Sequence, residues 1–173
     1  MSFEIEIKKL WWIGDKEDNP EDLCLHGHVI VKIGNEILEY DHATVSATGL
    51  YLLKSITEDH IIYKENQMLP CCGFFMIPND DLTSVDICGC PNGIDWSVIH
   101  EGKHVRIVTE RGNETLVDLA EYSMTVYKFA DYIEEYYNNC APKIFPKDEF
   151  DRNGYTAFWN EWHRRKVNLN IPY

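Results

Sequence analysis

The stretch LCLHGHVIVKIGNEILEY, residues 23–40, decides how the chain is read. Its odd positions up to Ile33 are Leu23, Leu25, Gly27, Val29, Val31 and Ile33, and its even positions are Cys24, His26, His28, Ile30 and Lys32. Period-two alternation places one set on a core face and the other on a largely polar face, the signature of a half-buried strand. Gly34-Asn35 is a two-residue hairpin signal, so Glu36 to Tyr40 returns as the antiparallel partner.

Outward from this hairpin, Phe3 to Ile7 alternates in the same way, and Leu10 to Ile13 continues it with Trp11 and Trp12. After Asp41 the period changes. Val45, Gly49, Leu52, Leu53 and Ile56 recur at helical spacing, which predicts a helix over about 45–57 with Ser46 as its cap. A meander is expected next, with strands over Cys71 to Ile77, Thr83 to Cys90, Ile94 to His100, His104 to Glu110 and Glu114 to Leu119. Its turns fall at 79–81, Asn92-Gly93, Glu101-Gly102 and Gly112-Asn113. Tyr122, Val126, Phe129 and Ile133 mark an amphipathic helix near 120–138, ended by Asn138, Asn139 and Pro142. Tyr155, Phe158, Trp159 and Trp162 mark a last helix, with Arg164-Arg165-Lys166 complementing its carbonyl end. The pattern predicts an α+β fold: a mostly antiparallel sheet of N-terminal hairpin strands and a central meander, with about three helices packed on it, two of them C-terminal. No linker, repeat or low-complexity tract divides the 173 residues, so one domain is expected.

Composition excludes several classes of function. Lys plus Arg number 16 against 29 Asp plus Glu, a formal net charge of −13. Nucleic-acid binders and anionic-membrane binders cluster cations, so neither partner is expected. Hydrophobic residues make up 45%, too much for a disordered acidic tail. Met1 to Lys9 lacks the apolar core of a signal peptide. The run from Cys71 to Ile77 falls far short of the roughly 20 residues of a membrane-spanning helix. Six cysteines in this length are too sparse for a disulfide scaffold. Reduced thiols and a cytoplasmic location are therefore expected. There is no glycine-rich phosphate loop, no Gly-x-Ser-x-Gly elbow and no His-Glu-x-x-His helix.

Three groups of residues carry candidate chemistry. Cys24, His26 and His28 share a strand face, and counting back from the Gly34-Asn35 turn places His28 opposite Asp41 with Glu39 diagonal to it. His26, His28 and Asp41 are thus a candidate Zn or non-haem Fe set; histidines balancing acids on a polar sheet face are the alternative. Pairing across the 79–81 turn brings Cys72 opposite Cys88, and the next hairpin sets Cys90 beside Asp95. Cys72, Cys88 and Cys90, with Cys71 next to them, form a thiol cluster suited to a metal, a redox pair or a nucleophilic cysteine, or simply to burial as small apolar groups.

The third group is acidic and aromatic. Residues 1–90 carry 16 acids and 6 bases, against 13 and 10 in residues 91–173. Five acids fall within Asp15 to Asp22, an expected exposed loop. Trp11, Trp12, Asp15, Glu17, Asp18, Glu21 and Asp22 are the candidate partner-binding residues, because an acidic surface with embedded aromatics steers and holds a basic protein. In broad character, small, acidic and without catalytic templates, the chain resembles bacterial toxin-immunity proteins. That likeness of class implies a non-enzymatic, cytoplasmic inhibitor of a cationic partner, without a cofactor. A metal-binding enzyme or metal-stabilised domain is the alternative expectation.

Overall fold

The computed structural model describes residues 2–14, 17–64 and 66–167. Its elements run β1 (Phe3–Trp11), β2 (His26–Ile33), β3 (Glu36–Thr44), α1 (Val45–Ser55), β4 (Phe75–Pro78), β5 (Val85–Cys88), β6 (Trp96–Glu101), β7 (His104–Thr109), β8 (Glu114–Asp118), α2 (Leu119–Asn139) and α3 (Glu149–Val167). The class is α+β, and of the three helices among the described residues two lie towards the C-terminal end. The strands form three antiparallel sheets, β1-β2-β3, β4-β5 and β6-β7-β8.

The first sheet follows the alternation closely. Gly34 takes φ +59°, a left-handed conformation that glycine adopts without steric cost, and Ile33 pairs with Glu36 as the two-residue turn requires. β1 adds on the other edge of β2, from Phe3 opposite Ile33 to Trp11 opposite His26. Val29, Val31 and Ile33 point inward and are buried. Both pairings are interrupted by a bulge, at Ile7/Lys9 and at Gly27/Val29, and a bulge bends and twists the strand that carries it.

α1 is buried along nearly its whole circumference, as expected of a helix enclosed by its neighbours rather than lying on a surface. Gly49 makes this possible, because a Cβ there would stand 2.5 Å from Cη2 of Trp162. Ser46 does not cap α1. Its hydroxyl accepts from Leu25 N at 3.2 Å, and the first amides of the helix, Val45 N and Ser46 N, donate to Leu25 O. α2 buries the predicted stripe Tyr122, Val126, Phe129 and Ile133, and is capped by Asp118, which accepts from Ala120 N and Glu121 N. α3 begins earlier than its aromatic stripe, where Asp148 accepts from Phe150 N and Asp151 N. It lies against β4, where a Cβ on Gly154 would collide with the Met76 carbonyl.

The expected continuous meander is two sheets. β5 does not pair with β6; instead the 60–69 segment bridges to β6 and its approach through His60↔Val98 and Leu69↔Ile94. The β4–β5 register also differs by three residues from the expected one, with Phe75 opposite Cys88 and Pro78 opposite Val85. The cause is a longer turn. Asn79 Oδ1 accepts from Thr83 N and Ser84 N, and Leu82 takes φ +54°, so the reversal occupies 79–84. Among the described residues no helix is long and apolar enough to cross a membrane.

Candidate functional site

Trp11 and Trp12 are neighbours on an extended chain and face opposite ways. Trp12 is the inward one. It is fully buried, lies 5.0 Å from the Tyr137 ring and 6.0 Å from that of Tyr136, and carries the Lys143 ammonium 3.0 Å from its ring centroid. It is therefore core and offers nothing to a partner, which corrects its place in the partner-binding set. Trp11 is half-buried under Lys9, whose Nζ stands 5.6 Å from the ring centroid.

The acidic segment divides by role. Asp22 is structural: its carboxylate accepts from Ile13 N at 2.7 Å and Cys24 N at 3.1 Å, and lies 3.5 Å from His26 Nε2. Burial opposes its ionisation, yet the bonds from His26, Ile13 and Cys24 together hold its pKa below the ordinary value. Asp15 lies outside the described residues. Glu17, Asp18 and Glu21 are exposed, and their loop is tied to the segment after α2. Asp18 Oδ2 accepts from Ala141 N at 2.8 Å, Asn19 O accepts from Lys143 Nζ at 2.9 Å, and Pro20 O accepts from Ile144 N at 2.8 Å. Beside this seam Ile13, Ile144 and Phe145 are 63%, 58% and 55% exposed. Sequence reading missed these three apolar residues, because Ile144 and Phe145 belong to a segment without periodicity.

The histidine strand does not assemble the expected metal set. The Gly27/Val29 bulge makes Asp41 and His42 together oppose His28. His28 Nε2 then bonds Glu39 Oε1 at 2.7 Å, while His26 turns to Asp22. Asp41 is exposed, and among the described residues His26, His28 and Asp41 do not converge within ligand reach. The two imidazoles sit in separate acid–histidine pairs. Cys24, on the same strand approach, is buried, which pushes its thiol up to about 12, with the negative charge of Asp22 adding to the effect.

The thiol cluster forms with a different membership. Cys71 and Cys90 are joined by a disulfide, S–S 2.08 Å with Cα atoms 6.6 Å apart, which corrects the expectation that all six thiols are reduced. Cys72 Sγ lies 3.3 Å from Cys71 Sγ and 3.2 Å from Cys90 Sγ. The three-residue register difference removes Cys88 from the group; it is exposed at the end of β5. Cys71, Cys72 and Cys90 are the group of potential ligands that meets within 4.8 Å among the described residues, and each is half-buried.

The chain around these sulfurs is held by bonds other than the disulfide. Thr44 N donates to Pro70 O at 2.7 Å and Thr44 Oγ1 to Cys71 O at 3.1 Å. Leu69 and Ile94 exchange both backbone bonds. Gln67 spans the other side, donating to Pro91 O and Gly93 O and accepting from Gly93 N. Cys90 opens onto a cleft of about 310 Å³ that Asp95 also lines.

His60 was absent from the sequence-derived sites, since it belongs to no recognisable spacing, and Asp95 entered them only as the expected neighbour of Cys90. Both are buried. Asp95 Oδ1 bonds His60 Nε2 at 2.8 Å and accepts from Met68 N and Trp96 N, while its Oδ2 is buried with no hydrogen bond among the described residues. The pair pins the 60–68 segment to β6.

Comparison with protein-family models, curated proteins and solved structures gives no match.

Proposed function

We propose that this chain is a non-enzymatic protein-binding domain that engages a basic partner through Glu17, Asp18 and Glu21, with Trp11, Ile13, Ile144 and Phe145 supplying apolar contact. The observation that carries this reading is the seam between residues 18–20 and 141–144, three bonds that hold exposed carboxylates and exposed apolar side chains on one surface. A loop ordered in advance loses less entropy on binding, apolar anchors within a polar rim are the composition of an interface, and the net charge of −13 speeds encounter with a cation-rich protein. An immunity protein that blocks a cationic toxin is the particular form this reading takes.

Affinity capture from the native host tests it, with the wild-type chain and a Glu17→Gln/Glu21→Gln variant as baits. The expected result is a basic protein retained by the wild type, weakened in the variant and released as ionic strength rises past about 0.15 M. Recovery of no basic partner, or retention indifferent to both salt and variant, overturns the reading. If the captured protein is the product of an adjacent gene, co-expression with this chain should relieve its toxicity.

A further inference from the structure

We propose that Cys71, Cys72 and Cys90 are a thiolate site for a thiophilic divalent cation, Zn²⁺ being the commonest such ion, loaded when the three are reduced and closed when Cys71 and Cys90 are joined. Three observations support it. The first is convergence. Cys72 Sγ is nearly equidistant from its two neighbours, 3.3 Å and 3.2 Å, so it flanks the Cys71–Cys90 pair. A thiolate poised for disulfide exchange stands in line beyond one sulfur and far from the other, whereas three ligands of one ion surround a common point.

The second is independence from the disulfide. The Thr44 bonds to Pro70 and Cys71, the Leu69–Ile94 bridge and the Gln67 clamp bring residues 71–72 and 90 together. The sulfurs therefore remain neighbours after reduction. Three thiolates at that separation repel one another, and a divalent cation relieves the repulsion. The third is the surroundings. The half-buried sulfurs are within reach of solvent, and Asp95, a carboxylate residue 2% exposed, is among the residues that line the cleft Cys90 opens onto.

Closure balances with a small disulfide, R–S–S–R, as oxidant. The Cys71 thiolate attacks one of its sulfurs and releases R–S⁻. The Cys90 thiolate then attacks the mixed disulfide at the Cys71 sulfur, forms the Cys71–Cys90 bond and releases a second R–S⁻. Two electrons pass to the oxidant, and the cation, left with Cys72 alone of its three protein ligands, departs.

The test uses Co²⁺ as probe with the intact chain. In the reduced protein, freed of reductant and titrating six thiols when denatured, Co²⁺ should give a near-ultraviolet thiolate-to-cobalt charge-transfer band at one ion per chain. Treatment with oxidised glutathione should abolish the band and leave four titratable thiols in the denatured protein. Cys72→Ser should weaken Co²⁺ binding at least about tenfold while still forming the disulfide, and Cys88→Ser should leave binding within about twofold. Absence of the band in the reduced wild type overturns the site, whatever the variants do. A band that persists after Cys71 and Cys90 are joined overturns the gating, and a band lost in Cys88→Ser but kept in a folded Cys72→Ser overturns the ligand assignment. None of these outcomes bears on the acidic surface, which is tested by partner capture.

Discussion

Glu161 Oε2 accepts a hydrogen bond from Val85 N at 2.8 Å, so a buried carboxylate of α3 terminates the backbone of β5. Its other oxygen is 2.9 Å from Arg165 Nε and 3.6 Å from Lys54 Nζ, and Lys54 in turn donates to Val85 O at 3.2 Å. One buried charge therefore joins α1, α3 and β5. Removing the charge leaves Lys54, Arg164 and Arg165 without their shared partner, and breaking a buried pair costs about 3–5 kcal/mol. Glu161→Gln is expected to lower the melting temperature by about 6–20 °C for a chain of this size, read by thermal unfolding followed by circular dichroism. A shift of a degree or less would mean that solvent replaces the pair at no cost.

Gly49 and Trp162 give a steric prediction of opposite origin. Alanine at an exposed helix position would gain about 1 kcal/mol over glycine. Here its Cβ would lie 2.5 Å and 2.7 Å from two ring carbons of Trp162 and 3.1 Å from Ile133 Cδ1. Overpacking costs about 1–3 kcal/mol, so Gly49→Ala should be net destabilising. The same substitution in a Trp162→Phe background should cost less, and a double-mutant cycle from denaturant unfolding should give a coupling of at least about 0.5 kcal/mol. Additive effects would show that α1 and α3 adjust independently.

Acid should weaken the Asp22 junction. Its folded pKa is held below its ordinary 3.8 by the bonds from His26, Ile13 and Cys24 against the opposing effect of burial. A depressed carboxyl contributes stability above its unfolded pKa and loses it as pH falls through the folded value. Asp22→Asn should thus cost about 1–3 kcal/mol near neutral pH, and the gap between wild type and variant should narrow steadily below pH 3.8. Urea unfolding at a series of pH values measures this. A gap that stays constant into acid would assign the loss to geometry rather than charge.

Residues 23–40 were legible because the alternation and the Gly34-Asn35 turn state one register in two independent ways, and that register is the observed one as far as Val29. The histidine site failed one residue further on. A bulge adds a residue without altering composition, and this one adjoins Gly27, where Val45 Cγ2 and Lys9 O come so close that a Cβ would meet them at 2.6 Å and 2.8 Å. That is a tertiary fact, invisible in the strand itself. The thiol cluster was half legible. Its sulfurs do converge, but Asn79 organises a longer turn than its neighbours suggest, moving Cys88 out, while Cys71 enters through a disulfide to Cys90, in the loop after β5. The helices were easier because their stripes of Tyr, Phe, Ile and Trp report burial directly, without reference to any partner's register.

Lys143 supplies the last prediction, because it links the buried tryptophan to the exposed acids. Its ammonium lies over Trp12 and donates to Asn19 O. Burial pulls its pKa down, and Cys140, Asp22 and Asp18 oppose that pull. Lys143→Ala removes a desolvated cation–π contact worth about 1–2 kcal/mol and one of three bonds along the acidic seam. Global stability should fall by that amount, whereas hydrogen exchange of residues 17–23 should accelerate more than that of α2. If the ordering of this loop is what favours binding, Lys143→Ala should also weaken capture of a basic partner although Glu17, Asp18 and Glu21 are all retained. Lys143→Met distinguishes apolar cover from charge: it keeps the stem over Trp12 and should recover stability in part without restoring the bond to Asn19. Equal capture by wild type and Lys143→Ala would show that the carboxylates act through their charge alone, independently of the order the seam imposes.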